Sequence, residues 1–185
     1  MNKGTFVVVG LAGLMGIASA DDAKKAPDKA PDMNPPAELT KLGKDMAGTW
    51  KCTGTGMNME NKTVAMTATM TSKAEMGGWW IHDAFDAKMD KMPFHFESYT
   101  TFDGASKKWH RMMAEMGGGY STGDAASGTP GKMDFELASH GMMGDAMFKD
   151  HIDATDQKVG MKATGEMSMD KGKTWNKVYD MTCKK

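Results

Sequence analysis

From residue 48 onward, apolar side chains recur at every second position in short runs separated by glycine-rich turns. A period of two sends successive side chains to opposite faces of a strand, so each run has one face to bury. In "KTVAMTATM", Val64, Met66, Ala68 and Met70 share one side and threonines take the other. In "WWIHDAF", Trp79, Ile81 and Phe85 share a side with Asp83. "PFHFESYTTF" sets Phe94, Phe96 and Phe102 opposite His95, Glu97 and Tyr99. "KMDFELASH" sets Met133, Phe135 and Leu137 against Asp134 and Glu136, and "KTWNKVYDMTC" aligns Trp175, Tyr179, Met181 and Cys183. Turn signals such as Gly77-Gly78, "FDGASKK", "MGGGYSTGD" and "HGMMGD" separate the runs. The pattern predicts an all-β fold of about eight to ten antiparallel strands, a barrel or a sandwich. A parallel sheet needs crossover helices, and no helical spacing follows residue 47. One short helix precedes the strands, in "PPAELTKLGKDMAG", with Leu39, Leu42 and Met46 at helical spacing and Gly48 ending it.

The buried faces need filling, and the usual aliphatics are scarce. Beyond residue 20 there are three Leu, two Ile and three Val, whereas of the 22 Met all but Met1 and Met15 lie there. Methionine is apolar, unbranched and able to fill irregular gaps. The main expectation is therefore a methionine core.

Residues 1–20, "MNKGTFVVVGLAGLMGIASA", read as a signal peptide: Lys3, an apolar run, then Ala18-Ser19-Ala20. The run is short of the roughly 20 residues that span a bilayer. Residues 21–36, rich in Pro, Asp and Lys, read as a disordered linker, leaving 37–185 as the domain. The expected location is periplasmic or extracellular. In that setting the two cysteines, Cys52 and Cys183, favour a disulfide, with two free buried thiols as the alternative. A formal net charge of −1 without a basic patch argues against nucleic acid.

The stretch "LGKDMAGTWKCTGTG" resembles the lipocalin (calycin) signature, a short helix followed by Gly-x-Trp, here Gly48 and Trp50, at the start of the first strand. With "MGGWWIHDAF", "FDGASKKWHRM" and "DKGKTWNKVYDMTCKK", the chain is similar to a bacterial family of exported lipocalin-like proteins of unknown function. The resemblance implies an up-and-down barrel with Trp50 closing one end. First and last strands would then be neighbours, and a Cys52–Cys183 bridge would latch them. A barrel of about eight strands can hold one small ligand, so the expected function is a non-enzymatic binding protein for a small apolar or amphipathic molecule, without a cofactor.

Inward candidates for such a ligand are Met66, Met70, Trp79, Phe94, Phe96, Met133 and Phe135. A different reading is a Cu(I) site, because thioethers are soft ligands. "HRMMAEM" and "HGMMGDAM" offer His110, Met112, Met116, His140, Met142 and Met143 for it, followed by Met147. Haem is a third reading, since related barrels bind it; the axial ligand would come from His82, His95, His110, His140 or His151. No Gly-x-Ser-x-Gly elbow occurs. "GKT" at 172–174 lacks the first glycine of a phosphate loop and precedes a strand pattern where a helix is required.

Overall fold

The computed structural model describes residues 33–185 apart from 127, 129, 130, 143 and 157. The leader read over 1–20 and residues 21–32 of the linker lie outside the described residues, as does Met143. Helix α1 (Ala37–Met46) opens the fold. Ten strands follow: β1 (Gly48–Met57), β2 (Thr63–Glu75), β3 (Trp80–Met89), β4 (Met92–Asp103), β5 (Lys108–Glu115), β6 (Tyr120–Ala126), β7 (Lys132–Gly141), β8 (Gly144–Asp153), β9 (Met161–Ser168) and β10 (Asn176–Lys184).

Each strand pairs antiparallel with the next, and β1 pairs with β10, closing the barrel. Closure leaves no strand edge open to pairing with other chains. At the seam Cys52 lies directly opposite Cys183, and the two form a disulfide. The bridge spans 131 residues of sequence. In the chain-entropy model, closing so long a loop contributes about 4–5 kcal/mol.

The inner face follows the expected alternation. Trp50, Cys52, Met66, Met70, Ile81, Phe85, Phe102, Phe135, Leu137, Met161 and Met181 are all buried. Outward threonines on β1 and β2 supply the β-branched character that methionine lacks. Trp79 departs from the expectation: it precedes β3 in a helical conformation after the turn Met76–Gly78, outside the strand's alternation.

A barrel of about eight strands is just filled by its own side chains. Ten strands enclose more space, and α1 plugs one end of it. Leu39, Leu42 and Met46 are buried on one face of the helix. Ala74 and Ile81 pack beside Gly43, at van der Waals distance from where a Cβ would stand. Gly48, where the chain leaves the helix for β1, has φ +119°, a conformation that side chains rarely adopt. That requirement accounts for the glycine of the Gly-x-Trp pair.

Candidate functional site

The two ends of the barrel differ. At the helix end Trp50, Met133, Ile152, Ala125 and Met161 are packed out of solvent. At the other end the inward residues Met89, Phe94, Phe96, Met113, Phe148, Met167 and Tyr179 are only half-buried. They form the less covered end of the inner face, here called the cup. The turns at this end join β1 to β2, β3 to β4, β5 to β6, β7 to β8 and β9 to β10.

A polar layer separates the cup from the filled core. Arg111 and Asp150, both buried, form an ion pair inside the barrel. The Tyr179 hydroxyl donates to the other oxygen of Asp150. Arg111 Nε donates to Thr100 Oγ1 at 3.0 Å, and the guanidinium lies 4.3 Å above the Phe135 ring. Burial, then the Asp150 carboxylate, pushes the Tyr179 phenol well above its ordinary range. Nearby, Ser98 donates to Asp83 Oδ2 at 3.2 Å, while Oδ1, also buried, has no partner among the described residues.

Glu115 points inward at the lip of the cup, opposite Phe96 in the strand register. Its side chain folds over Gly119, where a Cβ would meet it at 2.9 Å. Burial raises the Glu115 pKa. Among the described residues the inward-facing charges of the strands are thus three carboxyls, Asp83, Glu115 and Asp150, and one guanidinium, Arg111.

The ligand candidates read from sequence divide in three. Phe94 and Phe96 reach the cup, while Met66, 5% exposed, is packed beside Met89. Met70, Met133 and Phe135 lie deeper and are fully packed, so they are filler rather than lining. Trp79 sits at the helix end, where its carbonyl accepts from Thr101, and has no place in the cup.

The copper candidates lie on the outer wall and the turn tips. His110 and Met112 are on the outer face of β5, with His110 bonded to Asp124 at 2.5 Å. His140 is bonded to Asp145 at 2.8 Å and stacks on Tyr120. Met116 and Met142 are exposed, and the Met142 sulfur lies 3.6 Å from where a Cβ on Gly117 would be. Met116 instead lines a concavity over the outer wall of β1–β4, and both histidines point toward carboxylates. The haem ligands are also displaced. His82, His95, His110, His140 and His151 all face outward, each bonded to a carboxylate on a neighbouring strand. None lines the interior, so none of the five is placed to ligate a group held inside the barrel.

No family model and no curated protein sequence matches this chain. Among solved structures, the crystal structure of Rv2717c from M. tuberculosis matches with a TM-score of 0.60 at 12% identity. The match covers 82% of this chain and 99% of that one. At that identity it shows a shared barrel fold.

Two surface concavities lie away from the cup. One of about 650 Å³ lies over the outer wall of β1–β4, lined by Lys51, Thr67, Asp86 and His95. A cleft of about 320 Å³ runs beside α1, lined by Leu42, Phe102, Trp109 and Met133.

Several cup residues escaped the sequence reading: Met89, Arg111, Met113, Glu115, Phe148, Asp150 and Tyr179 as a group. The signal was parity. Trp109 is inward, so Arg111, Met113 and Glu115 had to follow it. Likewise Phe148 and Ile152 carry Asp150 between them. A charged residue on the apolar parity of a strand marks an interior polar group.

Proposed function

We propose that this protein is an exported, non-enzymatic binding barrel, lipocalin-like in build, that takes a small apolar or amphipathic molecule into the cup. The observation that carries the reading is the unequal cover of the inner face. One end is covered by α1 and Trp50 apart from the cleft beside the helix, while Phe94, Phe96, Met113 and Phe148 stay half-open at the other. Ligand sites are concave and largely apolar, with a few placed polar groups. Here Glu115 and Tyr179 are those groups. Arg111, Asp150 and Tyr179 satisfy one another, which suits a fixed floor better than a reacting group. The disulfide fits an oxidising compartment, and among the described residues no helix is long and apolar enough to cross a membrane. Support for the lipocalin kinship is the helix-capped closed barrel with Gly48 and Trp50 at its plugged end.

The test is titration with N-phenyl-1-naphthylamine, an uncharged fluorophore that brightens on leaving water. The expected result is saturable binding of one probe per chain, weakened about tenfold, or about 1.4 kcal/mol, by Phe94→Ser. Absence of saturable binding, or binding indifferent to Phe94→Ser and Phe96→Ser, overturns the proposal.

A further inference from the structure

The strand register brings together three methionines that the sequence scatters. Met66 on β2 is the cross-strand partner of Met89 on β3, and Met89 is the partner of Met92 on β4. All three fall on the inward parity of their strands, at the open end of the barrel. Directly opposed cross-strand residues have Cβ atoms about 4.5–5.5 Å apart, within reach of long side chains. The next strand in the opposite direction, β1, contributes Gly54 and Gly56 beside them. A Cβ on Gly56 would lie 2.8 Å from the Met89 sulfur and 3.5 Å from the Met66 sulfur. The two sulfurs therefore share the niche that this glycine leaves. Exposure rises along the row, from Met66 at 5% through half-buried Met89 to Met92 at 37%. The row thus runs from the interior to solvent.

Three further observations concern what such a row would hold. First, the charges on the inner faces of the strands favour a cation: three carboxyls against one guanidinium among the described residues, with Glu115 at the same lip. Second, no histidine lines the interior, so the donors at this spot are thioethers alone. Third, exposed methionines ring this end. Met59, Met92, Met116, Met142 and Met169 stand one at or beside each of its five turns, whereas Met76 is the one such residue on the described turns of the helix end.

We propose that Met66, Met89 and Met92 form a thioether site for a soft monovalent cation, Cu(I), reached through the ring of methionines at the open end. Thioether sulfur selects Cu(I) over harder ions. Neutral donors leave a singly charged ion with its charge, which the carboxyl-rich interior offsets. The row adjoins the aromatic residues of the cup, Met92 and Phe94 being successive inward residues of β4, so the methionine-to-leucine variants and Phe94→Ser, each read against its own probe, separate copper binding from the proposed apolar binding.

The experiment is anaerobic competition against the cuprous chelator bicinchoninate, with Cu(I) as the probe. Wild-type protein is expected to withdraw one Cu(I) per chain. Met66→Leu/Met89→Leu/Met92→Leu conserves volume and removes the donors, and is expected to bind at least 100-fold more weakly. Met112→Leu/Met116→Leu is expected to bind as wild type. If the triple variant does not fold, the single Met92→Leu at the exposed end of the row serves, with at least a tenfold loss expected. X-ray absorption of the loaded protein is expected to show sulfur-only coordination. Failure of the wild type to take Cu(I), undiminished binding by the tested row variant, loss in Met112→Leu/Met116→Leu instead, or nitrogen in the coordination shell each overturns the assignment.

Discussion

The indole N–H of Trp50 donates to the carbonyl of Met46 at 2.8 Å, tying the first strand to the last turn of the helix. A helix leaves its last carbonyls without intrahelical partners, and this one is buried under the barrel end. Trp50 is 1% exposed and Lys185 Nζ lies 4.7 Å over its ring, so the start and finish of the barrel meet on one side chain. Trp50→Ala is expected to cost about 3–5 kcal/mol, the range for large aromatic truncations in cores. Trp50→Phe keeps most of the packing and gives up the hydrogen bond, so about 1–3 kcal/mol for the stranded carbonyl is its expected scale. Urea unfolding of the two variants measures both, and a loss below about 1 kcal/mol for Trp50→Ala would contradict the plug.

Arg111 and Asp150 are a buried pair, and such pairs are destructive to break and easy to replace whole. Arg111→Met leaves Asp150 charged with only Tyr179 to satisfy it, and is expected to cost about 3–5 kcal/mol. Arg111→Met/Asp150→Leu/Tyr179→Phe removes every member of the group and is expected to recover most of that loss. Comparing denaturation midpoints of the single and triple variants checks it. A triple variant as unstable as the single one would show that the polar layer itself holds the barrel together.

Glu115 gives a pH signature. Its pKa is raised by burial, so the folded state holds the proton more tightly than the unfolded chain does. The stability this contributes is complete below the ordinary glutamate pKa and is lost as pH rises through the folded value. Glu115→Gln keeps the shape without the charge. It is expected to match wild type in acid and to be more stable by a few tenths of a kcal/mol near neutral pH, since the group is only half-buried. Melting curves across that range test this, and a variant that gains stability on acidification instead would reverse the sign.

Much of the barrel was legible because strand alternation is a local property. Val64, Met66, Ala68 and Met70 read as one face, and the structure puts that face inside. The methionine excess read as core filler, which holds in part: Met46, Met66, Met70, Met133, Met161 and Met181 are buried, whereas eight described methionines, Met112 and Met116 among them, are exposed. Trp79 was misplaced because the local left-handed backbone at Met76, Gly77 and Gly78 shifts where the strand begins, and alternation counted through such a turn loses its phase. The copper candidates His110 and Met112 share one face of β5 as the sequence implied, and the closed sheet turns that face outward.

The sequence by itself determined that the chain is antiparallel and all-β with a leading helix, and which parity of each strand is apolar. Those follow from the two-residue pleat and from turn chemistry, which need only a few consecutive residues. The tertiary structure alone decided that Cys52 faces Cys183, that Arg111 reaches Asp150 across the interior, and that Met66, Met89 and Met92 fall in one row. Each depends on register, and register is settled by the whole closed sheet at once: a slip of one residue would turn every buried side chain of a strand outward.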